Sequence, residues 1–239
     1  MKYLELTFAD PARNLACDEA LLELCEQKEA EGILRIWEPQ TYFVVLGYSN
    51  KLATEVNVEA CAERGMPVLR RFSGGGTVLQ GPGCLNYALV LRNGGSGFYG
   101  DLAESYTRVL KRHQRVCETL ISEAVQIEGI SDLAIGGWKF SGNAQHRKHL
   151  YTLVHGSFLL NFDLALFEDC LQMPSRQPSY RQNRSHRSFV RNLSIEAATI
   201  REGLKREWQV DEAFDQVPHK RIDDLVSKRY SCLEWNQKF

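Results

Sequence analysis

The stretch Arg70-Arg71-Phe72-Ser73-Gly74-Gly75-Gly76-Thr77-Val78 constrains this chain more than any other. Three consecutive glycines between two strand-forming runs strip a turn of every side chain. Backbone N–H groups can then converge on an anion, and a bulky ligand can come against the main chain. Two arginines precede the turn, and a guanidinium can fork onto a phosphate or a carboxylate. The turn leads into a further strand, Thr77–Leu79, and the pattern G-x-x-x-x-G-K-[ST] is absent, which argues against a P-loop fold. A plain glycine-rich hairpin with surface arginines is the competing reading of the same residues.

The periodicity around this turn mixes two repeats. Cys17, Ala20, Leu21 and Leu24 predict an amphipathic helix over residues 14–28. Tyr106, Val109, Leu110, His113, Val116, Cys117 and Leu120 form a second stripe over 102–122, with Asp101 as its N-cap. A short helix is expected around 58–64, ending near Gly65, and further helical patterns at 164–171, 195–207 and 221–228. Strands are expected at 33–37 and 42–46 (as separate strands or a hairpin), at 68–72, 77–79 and 85–91, and at 124–127, 133–135, 138–140 and 150–160. Gly136-Gly137 reads as a tight turn. This irregular alternation predicts an α+β fold, a mixed β-sheet flanked by helices, rather than a doubly wound parallel sheet.

Bulk properties narrow the function. A chain of 239 residues with 44% hydrophobic and 25% charged residues buries a core without staples, and a net charge of −1 offers no bulk attraction to nucleic acid. The seven cysteines form no C-x-x-C pair, so neither zinc spacing nor a disulfide framework is indicated. No signal-peptide pattern and no run of about 20 apolar residues occurs, so no membrane association is expected and a cytoplasmic location is the simplest.

Several ordered motifs then carry a resemblance. Arg70-Arg71-x-Ser73-Gly74-Gly75-Gly76-x-Val78, Gly83-x-Leu85-Asn86, Ser131-Asp132-Leu133, Gly137-x-Lys139-x-x-Gly142-x-Ala144 and His155-Gly156-Ser157-x-Leu159 resemble, in order and approximate spacing, the catalytic domain of the lipoate–protein ligase and octanoyltransferase family. That family is related to the biotin ligases and, in fold, to the class II aminoacyl-tRNA synthetases. Weaker echoes are Asn14-Leu15-Ala16 with Asp18-Glu19, and Gly47-Tyr48-Ser49-Asn50. The resemblance implies one catalytic domain over residues 1–239, with a core to about residue 193, a helical segment over 194–239 and no accessory domain.

It also implies an activity: ATP-dependent attachment of lipoic acid, or octanoate, through an acyl-adenylate to a lysine of a lipoyl domain or a glycine-cleavage-H-type protein. A separate accessory protein would then assist activation. Lys139 is the implied catalytic residue, stabilising negative charge on the acyl carbonyl and the α-phosphate. Asp132 is implied near the nucleotide as a Mg²⁺ ligand. Arg70, Arg71, Ser73, Gly74, Gly75, Gly76, Thr77, Val78, Asn86, Gly142, Ala144, His155 and Gly156 are the implied binding residues, His155 as an orienting group or a core histidine without a proton-transfer role.

Two alternatives stay open. A transferase that takes its acyl group from a carrier thioester needs an activated thiolate, for which Cys84 and Cys170 are candidates; a non-catalytic ligand-binding relative is the other. Between Asp169 and Glu196 no acidic residue occurs, whereas Arg176, Arg181, Arg184, Arg187 and Arg191 are basic. This segment reads as a solvated loop, as a docking strip for an acidic carrier, or as an RNA contact with Tyr180 and Phe189 stacking on bases.

Overall fold

The computed structural model describes residues 1–28, 31–94, 102–210 and 212–239. In chain order the elements are β1 (Lys2–Glu5), α1 (Pro11–Lys28), β2 (Ile33–Trp37), β3 (Phe43–Leu46), α2 (Leu52–Glu55), α3 (Val58–Glu63), β4 (Val68–Arg70), β5 (Val78–Gln80), β6 (Cys84–Arg92) and α4 (Leu102–Leu120). They continue with β7 (Gln126–Glu128), β8 (Asp132–Ile135), β9 (Trp138–Arg147), β10 (Tyr151–Leu159), α5 (Ala165–Cys170), α6 (Ala197–Glu207), β11 (Glu212–Ala213), α7 (His219–Leu225) and α8 (Leu233–Asn236). The Asp101 cap lies outside the described residues.

Eight strands form one sheet in the order β11-β1-β2-β6-β10-β9-β8-β7, and β4-β3-β5 form a second. β1 pairs in parallel with β11 and β2, and every other neighbour in the large sheet is antiparallel, so the mixed α+β fold expected from the periodicity is the one observed. β2 and β3 are not a hairpin: they belong to different sheets. The competing reading of the glycine turn as a plain hairpin fails too, because β4 and β5 pair with opposite edges of β3 and not with each other. The glycine turn therefore crosses the end of β3.

The large sheet is covered on both faces. On one, Leu34, Ile36, Tyr87, Leu89 and Val154 meet α4 and α6. An added Cβ at Gly203 would lie 2.7 Å from Val116 Cγ1, so α6 comes against α4 at a residue that has no side chain to obstruct it. On the other face, Ile33, Trp37, Ala88, Val90 and Leu153 meet α1, α7 and the small sheet. The C-terminal segment thus covers both faces instead of forming a peripheral tail. The Gly136-Gly137 turn joins β8 to β9 with φ of 57° and 78°, the left-handed pair a two-residue type I′ hairpin requires.

Candidate active site

Cross-strand partners share a sheet face. The register places Arg35, Ala88, His155 and Ala144 in one row across β2, β6, β10 and β9. Two residues further along the same face, Trp37, Asn86, Ser157, Gly142 and Asp132 form a second row that reaches β8. Motifs scattered over a hundred residues of sequence are thereby brought onto one surface.

Lys139 lies beside this second row. Its Nζ is 2.8 Å from Asp132 Oδ1, and the ammonium is a quarter exposed. The side chain lies across Gly142: a Cβ there would sit 2.8 Å from both Lys139 Cε and Nζ. Glycine is required at 142 because any side chain would occupy the lysine's path. The backbone of Lys139 is pinned by Phe189 O, which accepts its N–H at 2.9 Å, and by Arg191 N–H, which donates to its carbonyl at 2.9 Å.

The glycine turn meets the same face from the other side. A Cβ on Gly75 would lie 3.6 Å from Ala144 Cβ, so turn and strand are in contact distance at two small residues. Ser73, at the head of the turn, hydrogen-bonds His155 Nε2 through Oγ at 2.7 Å. Gly74, Gly75 and Gly76 themselves are exposed. Thr77 Oγ1 is 2.9 Å from the Asn50 carboxamide, and Val78 packs into the core beside the turn. The side-chain-free bend and the Lys139 ammonium therefore stand over the same sheet face, and the space between them is the candidate cleft.

Three neutral side chains floor the cleft next to Lys139. Gln80 Nε2 donates to Ser157 Oγ at 2.5 Å, Ser157 Oγ donates to Asn86 Oδ1 at 2.5 Å, and Asn86 Nδ2 donates to Gln80 Oε1 at 2.9 Å. The closed cycle fixes all three rotamers and leaves one N–H on each amide unused within it.

The two arginines do not face a ligand. Arg70 is fully buried, and its guanidinium donates to the carbonyls of Gly47, Tyr48, Asn50, Trp235 and Asn236. Arg71 donates to Gly74 O at 2.7 Å and Gly76 O at 2.8 Å, and burial lowers its pKa to about 10, still leaving it charged near neutrality. Both were expected to bind an anion; instead they gather main-chain oxygens and shape the turn. Gly156 is corrected as well. It pairs with Tyr87 and Asn143 on the opposite face, where the Asn143 Oδ1 sits 2.0 Å from its ideal Cβ position. Its missing side chain makes room for that carboxamide.

Asp132 does not fit the expected Mg²⁺ site as it stands. Oδ1 accepts from Lys139, and Oδ2 accepts from the Tyr180 hydroxyl at 2.9 Å. Among the described residues no group of three or more His, Cys, Asp or Glu side chains is assembled to hold a metal. No step below is routed through a protein-held ion.

The arginine-rich segment is folded into the protein. Pro178 opens a short 3₁₀ turn, and Gln182 and Asn183 take left-handed φ values of 52° and 57°. The reversal aims Arg184 at Gly137 O and Tyr180 O, both at 2.9 Å, and lays Arg181 over the Phe189 ring at 4.7 Å. Arg181 is buried, and Arg191 pairs with Glu123. No aromatic stacking platform results, since Tyr180 is turned inward to Asp132 and Phe189 is buried, whereas Arg176 and Arg187 are exposed.

Six of the seven cysteines are buried. Burial pushes the Cys84 thiol up to about 12 and raises Cys170, whose Sγ points to Met66 Sδ at 3.7 Å. Among the described residues neither has a hydrogen-bonded imidazole. Asp18, Arg35, Gln80, Ser157 and Tyr180 are site residues to which the motifs assigned no role; each is found only by the register or by a contact far apart in sequence.

Residues 10–219 match the family model described as the lipoyl protein ligase A/B catalytic domain. An Aeropyrum pernix protein, provisionally named lipoate-protein ligase A, is 33% identical over 162 residues, 67% of this chain; that match takes in 58% of the relative's own length. Octanoyltransferase LipM of Brevibacillus brevis is 28% identical, the match covering 98% of each chain. Two solved structures share the fold: the bi-partite lipoate protein ligase described with its E2 lipoyl domain from Thermoplasma acidophilum (TM-score 0.81, 21% identity, 99% of this chain and 95% of that one), and lipoate-protein ligase A bound with ATP (0.83, 22%, 99% and 98%). Among the described residues no helix is long and apolar enough to cross a membrane. This chain is a member of the lipoate–protein ligase and octanoyltransferase family.

Proposed function

We propose that the protein is the ligase kind of enzyme within this family: it joins lipoate or octanoate to ATP and passes the acyl group to a lysine of a lipoyl-domain or glycine-cleavage-H-type acceptor. One observation carries the choice. Among the motif residues Lys139 is a partly exposed cation, while Cys84 and Cys170 are buried thiols whose ionisation burial opposes. A thioester-exchanging enzyme needs a thiolate; an adenylating one needs positive charge where carbonyl and phosphoryl oxygens gain electrons.

In this reading Lys139 supplies that charge, and the Asp132 carboxylate holds it in place until substrate competes for it. The glycine turn lets the activated carboxyl lie against main chain. The Gln80–Asn86–Ser157 cycle offers neutral amide donors beside it, and the one carboxylate of that row, Asp132, is paired with Lys139. The acid's carboxylate attacks the α-phosphorus of ATP and pyrophosphate departs; the incoming lysine amine then attacks the acyl carbon of the acyl-adenylate, AMP departs and the amine's proton is lost to solvent. Mg²⁺ enters, in this account, with the nucleotide phosphates. The ATP-bound neighbour and the neighbour described with an E2 lipoyl domain support these choices of nucleotide and acceptor by analogy of fold.

The end-to-end similarity to an octanoyltransferase is the observation that favours the second reading, acyl transfer from a carrier thioester. One experiment separates them. The protein is incubated with a lipoyl domain and lipoate with or without Mg·ATP, or with an octanoyl carrier protein without ATP, and the acceptor is weighed. Mass gain that requires ATP selects the ligase. Gain from the octanoyl carrier alone, lost in Cys84→Ala or Cys170→Ala, selects the transferase, and a separate accessory protein is called for if activation alone is slow.

A further inference from the structure

We propose that Asp18 and Arg35 are positioning residues that set the height of the glycine turn above the cleft, acting through His155 on Ser73; the functional meaning of that height rests on the acyl-activation reading above. Four side chains form one line. Arg35 Nη1 donates to Asp18 Oδ1 at 2.6 Å, Asp18 Oδ2 faces His155 Nδ1 at 3.2 Å, and His155 Nε2 meets Ser73 Oγ at 2.7 Å. Arg35 and Ser73 have no exposed surface, and Asp18 has almost none.

The far end of the line is immobile. Arg35 is held by Leu6 O, Asn14 O and Asn14 Oδ1 as well as by Asp18, tying α1 to β2. A carboxylate can only accept, so it selects the tautomer with the proton on Nδ1. In the neutral ring of that tautomer Nε2 accepts from the Ser73 hydroxyl. Ser73 O in turn accepts Tyr48 N–H at 2.9 Å. The residue that heads the turn is thus fastened on two sides, and three exposed glycines with no side chains to anchor them follow it. His155 stands in the same row as Ala144, the residue against which Gly75 rests. Arg71, holding Gly74 O and Gly76 O, fixes the shape of the turn, and the contact of Ser73 with His155 ties that shape to the strand.

The order Ser–His–Asp is also that of serine acyl-transfer enzymes. Here the serine is wholly buried and the second carboxylate oxygen is engaged by a buried arginine, so the line ends in a fixed hydroxyl rather than an attacking one.

The test is a double-mutant cycle on the full chain with Asp18→Asn, Ser73→Ala and the pair, read two ways: amide hydrogen exchange of residues 73–77 in the free protein, and octanoate affinity by calorimetry. Each single change is expected to speed turn exchange roughly tenfold and to weaken octanoate by a similar factor, the size of a lost hydrogen bond to a charged or charge-coupled group. In the Ser73→Ala background, Asp18→Asn should add less than about twofold, because its route to the turn is already cut. Should the Asp18→Asn change unfold the chain, His155→Gln takes its place in the cycle. Multiplicative effects, near a hundredfold in the pair, overturn the proposal, as does covalent labelling of Ser73 by a fluorophosphonate. If the parent protein binds no octanoate, the acyl reading falls alone, since turn exchange still decides the cycle.

Discussion

Replacing Gly142 by alanine should disable the enzyme while leaving it folded. The added methyl would sit 2.8 Å from Lys139 Cε and Nζ, against an ordinary carbon–carbon contact of about 3.5–4.0 Å. The ammonium must therefore withdraw by roughly 1 Å from its place beside Asp132, and a displacement of that size at a reacting centre costs about a hundredfold in rate. Gly142 has no left-handed φ and lies within β9, so alanine meets no backbone strain. The clash is with the far end of a flexible side chain, which yields. Stability should change by no more than about 1 kcal/mol, because alanine also restricts the unfolded chain. The assay is single-turnover acyl transfer to a lipoyl domain alongside a urea unfolding curve. A Gly142→Ala enzyme within twofold of the parent, in a background where Lys139→Ala abolishes product, would refute the claim that lysine placement over Gly142 matters. Loss of activity in step with loss of fold would refute it equally.

Arg70→Met should cost about 3 kcal/mol or more, lowering Tm by about 10 °C in calorimetry, because several carbonyls lose a buried donor together; lysine, with one point charge, should rescue little. Gly47→Ala should displace the turn, since its Cβ would meet Gly75 O at 2.0 Å; weakened octanoate binding by calorimetry, larger than any loss of Tm explains, is the expected result. Burial draws His113 down to about 3, so below its unfolded value of about 6.5 the unfolded chain binds a proton that the folded one refuses. Its contribution is complete above pH 6.5 and falls as pH drops, by about 2 kcal/mol at pH 5; urea curves at pH 7.5 and 5.0 should show a loss that is smaller in His113→Gln. Cys84→Ala and Cys170→Ala should leave ATP-dependent acyl transfer in the mass assay within about threefold of the parent.

What could be read in advance depended on whether a residue's role is local. The α4 stripe was legible because Val109, Leu110, Val116 and Cys117 recur at helical spacing, and all are buried. β9 was read as three residues instead of ten because Gly142 and Ala144, the small residues that open the cleft, carry no strand signal. β1 and β11 are too short to show a pattern. Among the candidate site residues, Lys139, Asp132, Asn86, Gly142, Ala144, His155 and the triglycine turn are brought to one face of the large sheet. Arg70 and Arg71 were picked out but point elsewhere: a guanidinium that gathers carbonyls and one that grips phosphate look alike in sequence. Gly156, which the resemblance implies as a binding residue, is small for Asn143 instead. Tyr180 reaches Asp132 across 48 residues and Asp18 reaches His155 across 137, pairings that no spacing rule encodes.

If the triglycine turn and Lys139 border a single acyl-nucleotide cleft, one ligand must shield both. Hydrogen exchange with and without a non-hydrolysable acyl-adenylate should then show protection of residues 73–77 and of β9 around 139–144 at the same ligand concentration, with both lost in Lys139→Ala. Protection of one segment without the other, or of neither while the ligand is bound elsewhere, would contradict it.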